Sequence, residues 1–151
     1  MPMHFLRVPH RLQEEDTGCL AACAQMVLDY LGIEISQAAL NRLLGLTSIG
    51  TPYSNIRRLT ALGVKVNIHS GDENDLRAAI DNSIPPVAFV KTGDLPYWQG
   101  NTSHAVLLVG YDDEAIYIND PIFASAPQRV GWDEFMLAWD HLDNCYALIG
   151  M

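Results

Sequence analysis

The sequence predicts an α+β fold in which N-terminal helices pack on an antiparallel sheet, and three observations predict it. Helical patterns dominate the first half of the chain, from residue 19 to about residue 82, with one strand-like segment among them. Four strand candidates follow in the second half, with one helical pattern before the last. One of the four, HAVLLVGY (His104 to Tyr111), is almost continuously apolar, as a central strand covered on both faces must be. Helices first and strands later is the order of an α+β protein, not of an alternating one.

Each element has its own signal. Residues 5–12 read as extended chain leading to the first helix. From Cys19 to Leu31 nearly every residue is apolar. Only Gln25 and Asp29 break the pattern, and their spacing of four sets them on one narrow face of a helix otherwise buried on most sides. Gly32 ends it. A second helix is expected from about Ser36, its N-cap, to Leu44, with Gly45 after its end. A third is expected from Pro52 or Ser54 to Leu62, closed by Gly63. VKVNIH (Val64 to His69) alternates like a strand. ENDLRAAIDN reads as a short helix with acidic residues at its start, where the helix dipole favours them. PPVAFVK, HAVLLVGY, AIYIND and CYALIG are the four later strands. WDEFMLAWDHL is the helix before the last, with Trp132, Phe135, Met136 and Trp139 at helical spacing as core.

The bulk composition bounds the function. The 151 residues, half of them apolar, are enough for one domain spanning 1–151 with a real core. A formal charge of −9 with only nine thinly spread basic residues argues against nucleic acid and anionic membranes as partners. No apolar run reaches the length of a membrane span, and MPMHFLRVPHRL lacks the apolar stretch of a signal peptide. Three irregularly spaced cysteines make a disulfide framework improbable, so a cytoplasmic location with reduced thiols is expected.

The chemistry-bearing residues start at Cys19. It falls in the first turn of the first helix, just after DTG, where unpaired backbone N–H groups and the helix dipole stabilise a thiolate. Cys23 lies one turn deeper without that help and reads as packing. A nucleophilic thiol needs a base, and His104 opens the central strand directly after the polar loop QGNTS. A hairpin folded about Asp112 and Asp113 brings residue 104 opposite residue 120 or its neighbour, within reach of a carboxylate that would orient the imidazole. Acyl transfer through a thiolate also calls for an oxyanion donor, which the Cys19 backbone N–H and a side-chain amide could supply. Gln13, six residues ahead, lies on the segment that leads to the helix. Metal binding by the thiols is the weaker reading, because a helical i,i+4 cysteine pair is not a zinc spacing.

Together, QEEDTGCLAACAQMVLDYLG, then HAVLLVGY, then NDP resemble the bacteriocin-processing cysteine peptidases, the papain-like domains that open many peptide-exporting ABC transporters. That resemblance implies a papain-like cysteine peptidase fold. It implies Cys19 as nucleophile, His104 as base, Asp120 as the orienting acid, Gln13 as oxyanion donor and Cys23 as the family's second cysteine. It implies a peptide or protein substrate, such as a leader peptide ending in small residues, and neither cofactor nor metal. The 151 residues hold no membrane or ATPase segment, so either a free-standing relative of the transporter domain or an excised domain is expected. The family usually reads Asp-Cys-Gly, whereas here Gly18 precedes Cys19 and Leu20 follows it. Gly18, with Tyr97 and Trp98 in the loop before His104, is a candidate substrate-binding residue. His69 and His141 read as surface or supporting residues. A non-catalytic peptide-binding module and a papain-like acyl transferase are the alternative functions.

Overall fold

The computed structural model describes residues 4–151. After a two-residue strand β1 (His4–Phe5), the chain forms α1 (Cys19–Tyr30), α2 (Gln37–Leu44), a 3-10 helix (Tyr53–Leu62), β2 (Lys65–Ser70) and α3 (Glu73–Asp81). Then come β3 (Val87–Lys91), β4 (Ser103–Tyr111), β5 (Ala115–Asn119), β6 (Gln128–Gly131), α4 (Trp132–Asp140) and β7 (Cys145–Gly150). All pairings are antiparallel, in the order β2-β7-β3-β4-β5-β6. β1 adds to the end of β4 at Gly110 and Tyr111, past the point where β3 stops. A Cβ on Gly110 would lie 2.8 Å from the His4 carbonyl, so glycine is what lets β1 approach.

The sheet divides two cores. On one face Leu20, Met26, Val27 and Leu28 of α1 pack with α2, the 3-10 helix, Phe89, Ala105 and Leu107. On the other, Val106, Leu108, Ile116 and Ile118 meet Leu76 and Ile80 of α3 and Phe135 and Trp139 of α4. β4 is therefore buried on both faces from His104 to Tyr111, as its apolar run predicts. Trp132, Phe135 and Trp139 are core and Met136 is partly buried, as their spacing indicates.

The caps follow the residues. Ser36 Oγ accepts from the Ala39 N–H, and Gly45 takes the left-handed conformation after α2. Asp72 and Asp75 form a capping box on α3. The third helix lies where it was expected and takes the 3-10 form, because its apolar residues repeat every three. Tyr53, Ile56, Leu59 and Leu62 form one eclipsed 3-10 face against the core. β6 is a strand the sequence pattern did not reveal; QRVG is short and has only Val130 buried. Among the described residues no helix is long and apolar enough to cross a membrane.

Candidate active site

The first turn of α1 is built to leave donors free. Its N-cap is Gly18, which has no side chain to cap with, and no acidic residue stands in the first turn. The first intrahelical bond runs from the Ala22 N–H to the Gly18 carbonyl, so the N–H groups of Cys19, Leu20 and Ala21 precede the ladder. The positive end of the helix thus faces the half-buried Cys19 thiol. Gly18 does not open the cleft. A Cβ there would come within 3.2 Å of the Glu15 carbonyl, so the residue is small because it packs on the turn before it.

His104 reaches this thiol from the entrance of β4. Its Nε2 is 2.8 Å from Asp120 Oδ1, and both side chains are buried. The two residues are not directly opposed, which corrects the expected register. The Asp112 carboxylate accepts from the Glu114 and Ala115 N–H groups, which centres the turn on Asp113–Glu114, one residue later than expected. The ladder then shifts between Leu108 and Gly110. Continued from the Leu107–Asn119 pair, it sets Asp120 opposite Val106, so His104 and Asp120 meet as diagonal neighbours on one face.

Asp120 is the most constrained group here. Oδ1 also accepts from the Ile122 N–H at 3.0 Å, and Oδ2 accepts from Tyr97 Oη and Trp98 Nε1, each at 2.8 Å. Tyr97 and Trp98, expected as cleft walls, are thus donors to the carboxylate. Only Trp98 also lines the cleft, where its ring meets His104 edge-on at 5.0 Å. Tyr97 turns inward, edge-on to Phe123 at 5.1 Å. The available signal was two adjacent aromatics, each with a polar hydrogen, ahead of the histidine strand; a buried Tyr or Trp seeks an acceptor.

The electrostatics follow from these contacts. Burial would raise the Cys19 thiol, but the hydrogen bond and charge of His104, helped by the Ala105 and Leu20 N–H groups, hold it below its ordinary value. Burial would lower His104, yet bonds to Asp120 and Cys19 raise it to about 9. Asp120 is held below the usual carboxylate range against burial, chiefly by His104. Cys23 is pushed well above a normal thiol by burial and Cys145 is raised, again mainly by burial. The arrangement favours a thiolate–imidazolium pair at Cys19 and His104 alone among the three cysteines.

Cys19, His104, Gln13, Trp98, Tyr53 and Ile49 line one cleft of about 220 Å³. Tyr53, stacked on Phe89 at 4.3 Å, is a cleft residue that sequence reasoning missed, since it lies on a separate helix with no motif to mark it. The Gln13 amide donates to the Glu15 and Asp16 carbonyls at 2.9 and 2.8 Å, and its Oε1 is buried without a partner. Both amide hydrogens are therefore committed to the chain's own carbonyls, and one bond must exchange before the amide can serve a substrate oxygen. His141 is exposed and bonds Asp94 at 2.9 Å, while His69 lies on β2 against Tyr146; neither lines the cleft.

Comparison with known proteins yields a family and a fold. The model of the peptidase C39 family matches residues 7–143. A Bacillus anthracis protein described as a C39-like peptidase superposes with a TM-score of 0.80 at 21% identity, covering 100% of this chain and 98% of that one. The peptidase domain of Streptococcus ComA, a bifunctional ABC transporter of a quorum-sensing pathway, gives 0.79 at 18% identity over 95% and 98%. A double-glycine-motif protease from an AMS/PCAT transporter, solved with its leader peptide, gives 0.77 at 19% identity over 97% and 93%. No curated protein matches the chain.

Proposed function

The chain belongs to the peptidase C39 family, and on that premise we propose that it is a cysteine peptidase that cuts after a small residue, with Cys19, His104 and Asp120 as its catalytic triad. One observation carries the reading. The thiol whose acidity is enhanced is also the thiol that faces a buried, carboxylate-held histidine in a cleft.

The mechanism uses groups already in contact. The Cys19 thiolate adds to the peptide carbonyl carbon, forming a C–S bond while the C=O electrons move onto oxygen. The Cys19 N–H and, once exchanged, the Gln13 amide stabilise that oxyanion. His104 gives its proton to the leaving amine as the C–N bond breaks, leaving a thioester. Water then attacks the thioester carbonyl, His104 takes a proton from it, and the C–S bond breaks to release the acid and restore the thiol pair. Asp120 holds the imidazole and stabilises its cation, without taking the proton.

The size of the cleft supports a narrow substrate class. At about 220 Å³ it is smaller than the roughly 300–1,000 Å³ of most small-molecule sites, which favours a segment of small residues. A peptide carrying Gly-Gly inside an otherwise apolar leader should be cut after the second glycine, as read by mass spectrometry. Intact peptide after prolonged incubation with active-thiol protein would contradict the reading.

The pH dependence has a defined sign. Activity needs Cys19 deprotonated and His104 protonated, so the rate rises with pH through the lower apparent pKa of the pair and falls as His104 loses its proton near pH 9. Asp120 supplies much of the upward shift of His104, so Asp120→Ala should move the alkaline limb toward neutral pH and leave measurable residual activity. An alkaline limb unmoved in Asp120→Ala, in a kcat/KM profile from pH 5 to pH 10, would contradict that role.

A further inference from the structure

Gln37 is the first residue of α2, and its side chain is only 1% exposed. A buried amide is costly unless its hydrogen bonds are made, and this one makes them. Nε2 donates to the Leu12 carbonyl at 2.8 Å and to Gln25 Oε1 at 3.0 Å, while Oε1 accepts from the Glu14 N–H at 3.0 Å. In extended chain the C=O of one residue and the N–H of the second residue on point to the same side, so Gln37 stands in for a neighbouring strand. The N–H of Gln13 itself points the other way and donates to the Pro121 carbonyl at 2.8 Å, one residue past Asp120.

The clamp is braced from behind. Gln25 Nε2 donates to the Ile35 carbonyl at 3.1 Å, and Asp29, one turn further along α1, holds Arg11 at 2.8 Å. Gln25 and Asp29 are the two polar residues on the narrow face of an otherwise apolar helix, and that face is where the incoming segment lies. A methionine at position 37 would fill similar space without the desolvation cost. The amide is therefore accounted for by the backbone it grips on either side of Gln13.

We propose that Gln37 is a positioning residue for Gln13, fixing the backbone from which the oxyanion amide reaches the cleft. The inference rests on the reading of Gln13 as that donor. It is a role in placement: Gln37 does not line the cleft that holds Cys19 and His104.

The test compares two reactions of the same thiol. In the first, N-benzyloxycarbonylglycine p-nitrophenyl ester acylates Cys19. The thiolate forms a C–S bond through an oxyanion, the C–O bond breaks, and nitrophenolate leaves and is read by absorbance, with Cys19→Ala as the blank. In the second, iodoacetamide alkylates Cys19 with loss of iodide and no oxyanion forms. Gln37→Met should slow acylation about tenfold, the scale of a small misplacement of a catalytic group. Alkylation should stay within about twofold, as for sites that act independently. In a Gln13→Ala background, itself slowed roughly a hundredfold, Gln37→Met should add nothing further.

Several results would overturn the inference: no acylation loss in Gln37→Met, an equal loss in the Gln13→Ala background, or a parallel loss of alkylation. Gln37→Leu likewise removes every bond to Leu12 and Glu14 without burying a charge, and it carries the same comparison if Gln37→Met does not fold. Normal acylation in Gln13→Ala would instead refute the oxyanion reading and the inference with it. Absence of any Cys19-dependent acylation in the unaltered protein would refute the proposed peptidase as well.

Discussion

Cys19→Ala and His104→Ala should each reduce peptide cleavage to near background while the protein stays folded. Removing the nucleophile or the base of a triad costs on the order of 10⁴- to 10⁶-fold in turnover, because the remaining groups have nothing to act on. The two substitutions differ in what they do to the fold. Cys19 is half-buried at a helix start, where alanine is a good helix former, so Cys19→Ala should unfold like the parent. His104→Ala removes one partner of the fully buried Asp120, which still accepts from Tyr97, Trp98 and the Ile122 N–H. A carboxylate left short of its cationic partner is destabilising, so His104→Ala should melt at a lower temperature. Circular dichroism and peptide cleavage measured together check both. A folded Cys19→Ala variant that retains more than about one part in a thousand of the parent rate would lie outside that range and would mean another group attacks the carbonyl.

The second large effect is expected in the substrate. In a peptide series varied only at the residue before the cut bond, glycine and alanine should exceed leucine and phenylalanine by about a hundredfold. That is a discrimination of about 3 kcal/mol. It is somewhat more than one misfit methylene provides, because a bulky side chain would meet two aromatic walls. Trp98 is held by its bond to Asp120 and Tyr53 by its stack on Phe89, so neither ring can yield without disturbing the groups behind it. Rates for the series, compared as kcat/KM, decide the matter. A preference for leucine or arginine would mean the narrow cleft does not govern the choice.

Much of this architecture was legible in the chain because the signals were local. Ser36, Gly45 and Gly63 mark helix ends through capping and left-handed turns that need no tertiary information. The unbroken apolar run of β4 shows that both faces are covered. The pairing of His104 with Asp120 was reachable from hairpin arithmetic, but only approximately. The Asp112 side chain moved the turn by one residue and the shift before Gly110 altered the register again. The second change decides the outcome: continued from the Gly110–Tyr117 pair without the shift, Asp120 would fall opposite Leu107, on the other face from His104. The third helix was expected at these bounds, and the recurrence of Tyr53, Ile56, Leu59 and Leu62 every three residues is the signal for its 3-10 form. The inward turn of Tyr97 was not legible. Whether a loop aromatic faces substrate or a buried carboxylate depends on contacts with residues more than twenty positions away. The same holds for Gln37, whose value lies in the backbone of Leu12 and Glu14.

The central claim is that Cys19, and no other cysteine, is held as a reactive thiolate by His104. Limited iodoacetamide at pH 6, followed by digestion and mass mapping, tests it most directly. Cys19 should be alkylated first, because its thiol is lowered while Cys23 and Cys145 are raised, and Cys23 is also fully buried. His104→Ala should remove most of that selectivity for Cys19. Faster labelling of Cys145 or Cys23 in the folded protein, or labelling of Cys19 that is indifferent to His104, would contradict the account.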